Sequence, residues 1–92
     1  MPEMIRRRYL FHGRVQGVGF RYTTASIAKR HPILGYVKNL PDGSVELVAE
    51  GTTSSLDQFL ADILSEFAGY VREYSVAEPA IDQPFVVFEI RR

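Results

Sequence analysis

Near the start of this chain the apolar residues change period, and a glycine-rich segment marks the change. Over residues 7–14, Tyr9, Phe11 and Gly13 fall on one face, with Leu10 as the exception, which predicts a strand. From Phe20 onward, Phe20, Thr24, Ile27, Ala28 and His31 recur at helical spacing, and Pro32 ends the helix because the residue before a proline is pushed out of the α region. Val15-Gln16-Gly17-Val18-Gly19 lies between the two and is too rich in glycine for the interior of either.

The rest of the chain narrows the choice. Residues 34–39 read as a second strand, and Leu40-Pro41-Asp42-Gly43-Ser44 as a tight turn. Val45, Leu47 and Ala49 alternate with Glu46, Val48 and Glu50, giving a third strand paired to the second as a hairpin. Thr52 or Thr53 caps a second helix with the apolar stripe Leu56, Phe59, Leu60, Ile63, Leu64 and Phe67, and Gly69 suits its end. A fourth strand is expected near Val71 to Ala77. A final strand from Phe85 to Ile90 follows a loop containing Pro79 and Pro84. The order β-α-β-β-α-β, with a further short strand, predicts an α+β, ferredoxin-like (split βαβ) fold, an antiparallel sheet with two helices on one face. At 92 residues the chain is expected to be a single domain spanning 1–92. That architecture hosts many activities, so function has to come from a site.

Composition removes several classes. There is no cysteine, which excludes disulfides, thiolate metal sites and cysteine nucleophiles. His12 and His31 are the only histidines, too few for an imidazole-rich metal site, so no metal and no cofactor are expected. Eleven basic residues balance eleven acidic ones, which argues against a dedicated nucleic-acid binder. No apolar run approaches the length that spans a bilayer, and no signal-type segment is recognised, so the expectation is a cytoplasmic monomer away from membranes. Arg6-Arg7-Arg8 is expected to be a solvated strand start, Glu46 and Glu50 an exposed strand face, and Asp42 a turn residue. His12 is expected on the open side of the sheet, and His31 at a helix end, compatible with its dipole.

The chemistry is expected between Gly13 and Arg21. Glycines in Gln16-Gly17-Val18-Gly19 let successive backbone N–H groups converge on one point as an anion nest. The helix start at Phe20 adds unsatisfied donors and a positive dipole end. Arg21, in the first turn, carries a permanent charge that matches two phosphate oxygens. Better-known phosphate motifs do not fit: Tyr22 holds the place of the third glycine in G-x-G-x-x-G, and no G-x-x-x-x-G-K is present. On spacing alone, a phosphate cradle and a tight turn with a surface arginine fit equally well. Gln16 to Thr23 can also be aligned with an RNA-binding strand motif, but Gln16, Val18 and Thr23 replace its basic residue and two of its aromatics.

Taken whole, Gly13-Arg14-Val15-Gln16-Gly17-Val18-Gly19-Phe20-Arg21-Tyr22 resembles the first signature of the acylphosphatase family. Gly35-Tyr36-Val37-Lys38-Asn39, Asp42-Gly43-Ser44-Val45-Glu46 and Ala49-Glu50-Gly51 resemble the second. The resemblance implies an enzyme that hydrolyses the carboxyl–phosphate bond of acyl phosphates without metal or covalent intermediate. It implies Arg21 as the phosphate-binding catalytic residue and Asn39 as the residue that positions the attacking water. Backbone amides of Gln16, Gly17, Val18, Gly19, Phe20 and Arg21 would form the cradle, with inorganic phosphate as product and inhibitor. Related domains within larger proteins offer an alternative, a non-catalytic module for phosphate or carbamoyl phosphate; an RNA-binding module is the other. Three departures stand out: Tyr36 replaces a frequent tryptophan, Thr23 a larger apolar residue, and His31-Pro32-Ile33 a common Leu-Gly-Leu. Glycine there could take a positive φ that proline cannot, so the helix end must use another geometry.

Overall fold

The computed structural model describes residues 3–92, and its elements follow the apolar periods. They are β1 (Ile5–Gly13), α1 (Phe20–Ala28), β2 (Leu34–Asn39), β3 (Val45–Gly51), α2 (Thr53–Glu66), β4 (Val71–Ala77) and β5 (Phe88–Arg91). The sheet has five strands in the order β4-β1-β3-β2-β5. Tyr9 and Phe11 of β1, Val37 of β2, and Val45, Leu47 and Ala49 of β3 point to one face and are fully buried. Against them pack Phe20, Ile27 and Ala28 of α1, then Leu56, Phe59 and Ile63 of α2 with Phe67 just beyond it. Alternation at period two in the strands and at helical period in α1 and α2 thus meets in one core.

The antiparallel sheet expected of the β-α-β-β-α-β order is present, and the further short strand joins its edge in parallel. β1–β3, β1–β4 and β2–β3 pair antiparallel, but β2–β5 is parallel, with Tyr36 opposite Glu89 and Lys38 opposite Arg91. β4 ends beside the start of β1. The connection then crosses that end of the sheet, so β5 sets off beside the start of β2 and runs with it.

That crossing also shortens the last strand. Residues 85–87, expected in it, are used otherwise. Phe85 N–H donates to Glu50 Oε2 at 3.3 Å, the Phe85 ring lies under the Arg6 guanidinium at 4.3 Å, and the Val87 carbonyl accepts from Gly35 N–H at 3.0 Å. The face away from the helices is therefore not simply open. Glu50, expected on an exposed strand face, is 5% exposed, and Glu46 is half-buried between Arg8 and Tyr36. Nor is Arg6-Arg7-Arg8 a solvated run. Arg6 pairs with Glu50 and Asp82, Arg7 with Asp57 and Glu78, and Arg8 with Glu46.

Helix α1 stops at Ala28, short of His31. Lys29, Arg30 and His31 N–H groups bond the carbonyls of Ser26, Ile27 and Ala28, each three residues back, and Ile33 N–H bonds the His31 carbonyl at 2.8 Å across Pro32. A turn centred on Pro32 suits the fixed proline φ, so the helix closes with no left-handed residue. His31 then sits past the helix end, with Nε2 2.8 Å from Asp62 Oδ2 of α2. At the other helix Thr52 is the N-cap, its hydroxyl accepting from Ser55 N–H at 3.1 Å. Among the described residues no helix is long and apolar enough to cross a membrane.

Candidate active site

The loop between β1 and α1 is shaped by two glycines in the left-handed region, Gly17 at φ 77° and Gly19 at φ 78°. Side-chain-bearing residues rarely adopt this conformation. Gly19 is the N-cap of α1 and supplies no side-chain cap, and the first turn holds no acidic residue. The first-turn N–H groups are thus left without the side-chain acceptor that Thr52 gives α2. This is the arrangement that favours an anion at a helix start.

The loop leads into a cleft of about 260 Å³ lined by Gly17, Gly19, Phe20, Arg21 and Asn39, together with Val15, Tyr22, Ile90 and Arg92. Two arginines and no acidic side chain line it, which suits an anion. Arg21, in the first turn of α1, is half-buried and donates through Nη1 to the Arg91 carbonyl at 3.1 Å. That contact leaves most of the guanidinium's donors uncommitted. Asn39 closes β2, where the strand meets the hairpin turn. Its Oδ1 is buried and has no hydrogen-bond partner among the described residues. A buried acceptor of this kind costs free energy until it receives a donor.

Of the residues expected in the site, Arg21 and Asn39 come to the same cleft although 18 positions separate them, and Gly17, Gly19 and Phe20 join them there. Gln16 and Val18 do not line it. Val18 packs on the core instead, and the Gln16 side chain reaches the hairpin turn. Sequence reasoning missed Val15, Ile90 and Arg92 as walls and the Arg91 carbonyl as a partner of Arg21. The placement of Ile90, Arg91 and Arg92 follows from the parallel pairing of β5 with β2, which no local pattern specifies. Gln16–Thr23, which can be aligned with an RNA-binding strand motif, forms a loop and the first turns of α1 rather than a strand.

Comparison with known proteins identifies the family and the fold. The acylphosphatase family model matches residues 7–90. An acylphosphatase from Methanospirillum hungatei is 43% identical over 91 residues, covering 97% of this chain and 99% of that protein. The crystal structure of acylphosphatase from Bacillus subtilis superposes with a TM-score of 0.87 at 35% identity, covering 98% of this chain and all of that one. The chain also matches 12% of full-length HypF, in a crystal structure of its phosphate- and nucleotide-bound form, with a TM-score of 0.86 and 25% identity. With the family model spanning nearly the whole sequence, the chain belongs to the acylphosphatase family.

Proposed function

We propose that this acylphosphatase holds the phosphoryl group of an acyl phosphate against the N-terminus of α1, with Arg21 and the loop amides from Gln16 to Arg21 as donors, and that Asn39 directs a water onto phosphorus. The observation that carries the proposal is the meeting, in one cleft lined by no acidic side chain, of an uncapped helix start, Arg21 and the buried Oδ1 of Asn39, which has no partner among the described residues.

The residue types suffice for this chemistry. Water forms the new O–P bond as the bond between phosphorus and the acyl oxygen breaks, and the electron pair leaves with the carboxylate. Carboxylic acids have pKa values near ~4, so the leaving group departs without protonation and no general acid is needed. What remains is positioning and charge stabilisation, which dominate phosphoryl transfer. Arg21 and the amides are donors for the charge on the phosphoryl oxygens. A water that donates to Asn39 Oδ1 is fixed in line, and the neutral carboxamide does not repel the anionic substrate. The proton released by the water passes to a substrate phosphoryl oxygen. Among the described residues no three His, Asp or Glu side chains come together as metal ligands.

The test is hydrolysis of benzoyl phosphate before and after exhaustive chelation. Equal turnover in both, inhibited by inorganic phosphate, is the expected result. Activity lost on chelation and restored by a divalent ion contradicts the metal-free route. The match to part of HypF gives a second reading, a phosphate-binding module without catalysis; phosphate binding with no turnover would select it.

A further inference from the structure

In the sequence Gln16 counts only as a backbone amide of the loop. In the structure its side chain is a direct bridge between the loop and the hairpin that carries Asn39. Its Nε2 donates to the carbonyl oxygens of Leu40 and Ser44, both at 2.8 Å. The same two carbonyls close the turn that follows Asn39. Ser44 O accepts from Leu40 N–H at 2.9 Å, and Leu40 O accepts from Gly43 N–H at 3.1 Å. Asp42 Oδ1 completes the turn by accepting from Ser44 N–H at 2.9 Å and from Ser44 Oγ at 2.5 Å. Ser44 is buried, so at this end the tie is shielded from competing water.

We propose that Gln16 is a positioning residue: its carboxamide locks the phosphate loop to the Asn39 hairpin and so sets the distance between the phosphoryl cradle and the water held by Asn39. The side-chain type is specific to the task. Both amide hydrogens are used, one on each carbonyl. Glutamate would set an acceptor against two acceptors, and asparagine is a methylene too short. The Gln16 carboxamide is spent on the hairpin turn and Gln16 is not among the cleft walls, so the side chain, as distinct from the backbone N–H, acts through the two segments it joins rather than on the substrate. A misplacement of about 1 Å between reacting groups can cost about a hundredfold in rate, which is why such a tie matters. The inference rests on the roles proposed above for Arg21 and Asn39.

The experiment measures benzoyl phosphate turnover, inhibition by inorganic phosphate and thermal melting for the wild type, Gln16→Leu, Asn39→Ala and the double variant. Gln16→Met, unbranched like glutamine, stands in should the leucine variant not fold. The expected result is a folded Gln16 variant with kcat down about tenfold and phosphate inhibition altered less than about threefold, because the cradle survives while the alignment is lost. In the Asn39→Ala background the same substitution costs less than about threefold, since the alignment no longer has a use. A folded Gln16 variant with wild-type kcat beside a crippled Asn39→Ala overturns the proposal alone, as do losses that multiply in the double variant. Failure of both Gln16 variants to fold assigns the residue to the fold and overturns it as well. Wild-type kcat in Asn39→Ala overturns the site assignment and the proposal together.

Discussion

The Arg21 guanidinium donates to the Arg91 carbonyl at 3.1 Å, which ties the first turn of α1 to the last strand of the sheet. Arg91 is itself fixed on the opposite face: its guanidinium stacks over the Tyr36 ring at 4.0 Å and donates through Nε to Glu89 Oε1 at 2.7 Å. Arg21 is therefore held by backbone rather than by an acidic partner, which leaves its charge for a ligand.

Arg21→Lys keeps the charge and loses the planar fork, so phosphate can no longer be gripped while the Arg91 contact is kept. A fall in kcat/KM of about a hundredfold is expected, with inhibition by inorganic phosphate weakened in parallel. Steady-state kinetics with benzoyl phosphate check it. Near-normal turnover would mean that another group carries the phosphoryl charge.

Beneath the residue 82–85 crossing, Arg6 donates through Nε and Nη2 to Glu50 Oε1 at 3.1 and 2.6 Å, and through Nη1 to Asp82 at 3.0 Å, with the Gln83 carbonyl as a further acceptor. Burial works against the Arg6 charge, but the two carboxylates outweigh it and its pKa is raised. Glu50→Ala leaves that cation buried beside an exposed Asp82 alone, and a loss of about 3–5 kcal/mol is expected. Replacing both partners, Arg6→Met with Glu50→Leu, should recover most of it. Urea denaturation of the two variants decides; equal losses would show that the pair is not the source.

Glu46 accepts from Arg8 Nε at 2.6 Å and from the Tyr36 hydroxyl at 2.8 Å. Burial pushes its pKa up, but the bonds from Arg8 and Tyr36 and the nearby charges of Arg8 and Lys38 pull it below the ordinary glutamate value of 4.5. A depressed carboxylate contributes stability that is present above the ordinary value and lost as pH falls through the lowered one. Tyr36 is shifted the other way, raised by burial and by its bond to Glu46. Its contribution is present below the ordinary tyrosine value and lost as pH rises through the raised one. Melting temperature should therefore fall at both ends, and Glu46→Gln should be less stable near pH 7 with a shallower acid limb. An unchanged acid limb in that variant would remove Glu46 from the account.

Much of this was legible in the chain. Val37, Val45, Leu47 and Ala49 announced their buried face by alternation, and Phe20, Thr24, Ile27 and Ala28 by helical spacing, because both patterns are set by neighbours a few residues apart. Gly17 and Gly19 marked the loop because their φ values suit few other residues. The pairing of β5 with β2 was not legible, since it depends on where a long connection crosses. For the same reason the burial of Glu50 by Arg6 and Phe85 was hidden: a glutamate alternating with apolar residues reads as exposed until a distant segment covers it. The bridge from Gln16 to Leu40 and Ser44 likewise spans segments that only the folded sheet brings together.

In the proposed mechanism a neutral amide at residue 39 directs water onto a phosphoryl group held by Arg21 and the loop. The most direct measurement is kcat and phosphate inhibition for Asn39→Ala and Asn39→Asp. Asn39→Ala is expected to lower kcat by about a hundredfold with phosphate inhibition and melting temperature nearly unchanged. Asn39→Asp, nearly isosteric but negatively charged, is also expected to be poorly active and to bind phosphate more weakly than Asn39→Ala. An Asn39→Asp enzyme at or above wild-type activity, with a rate that follows the ionisation of the new carboxylate, would show that the site wants a general base and would contradict the account.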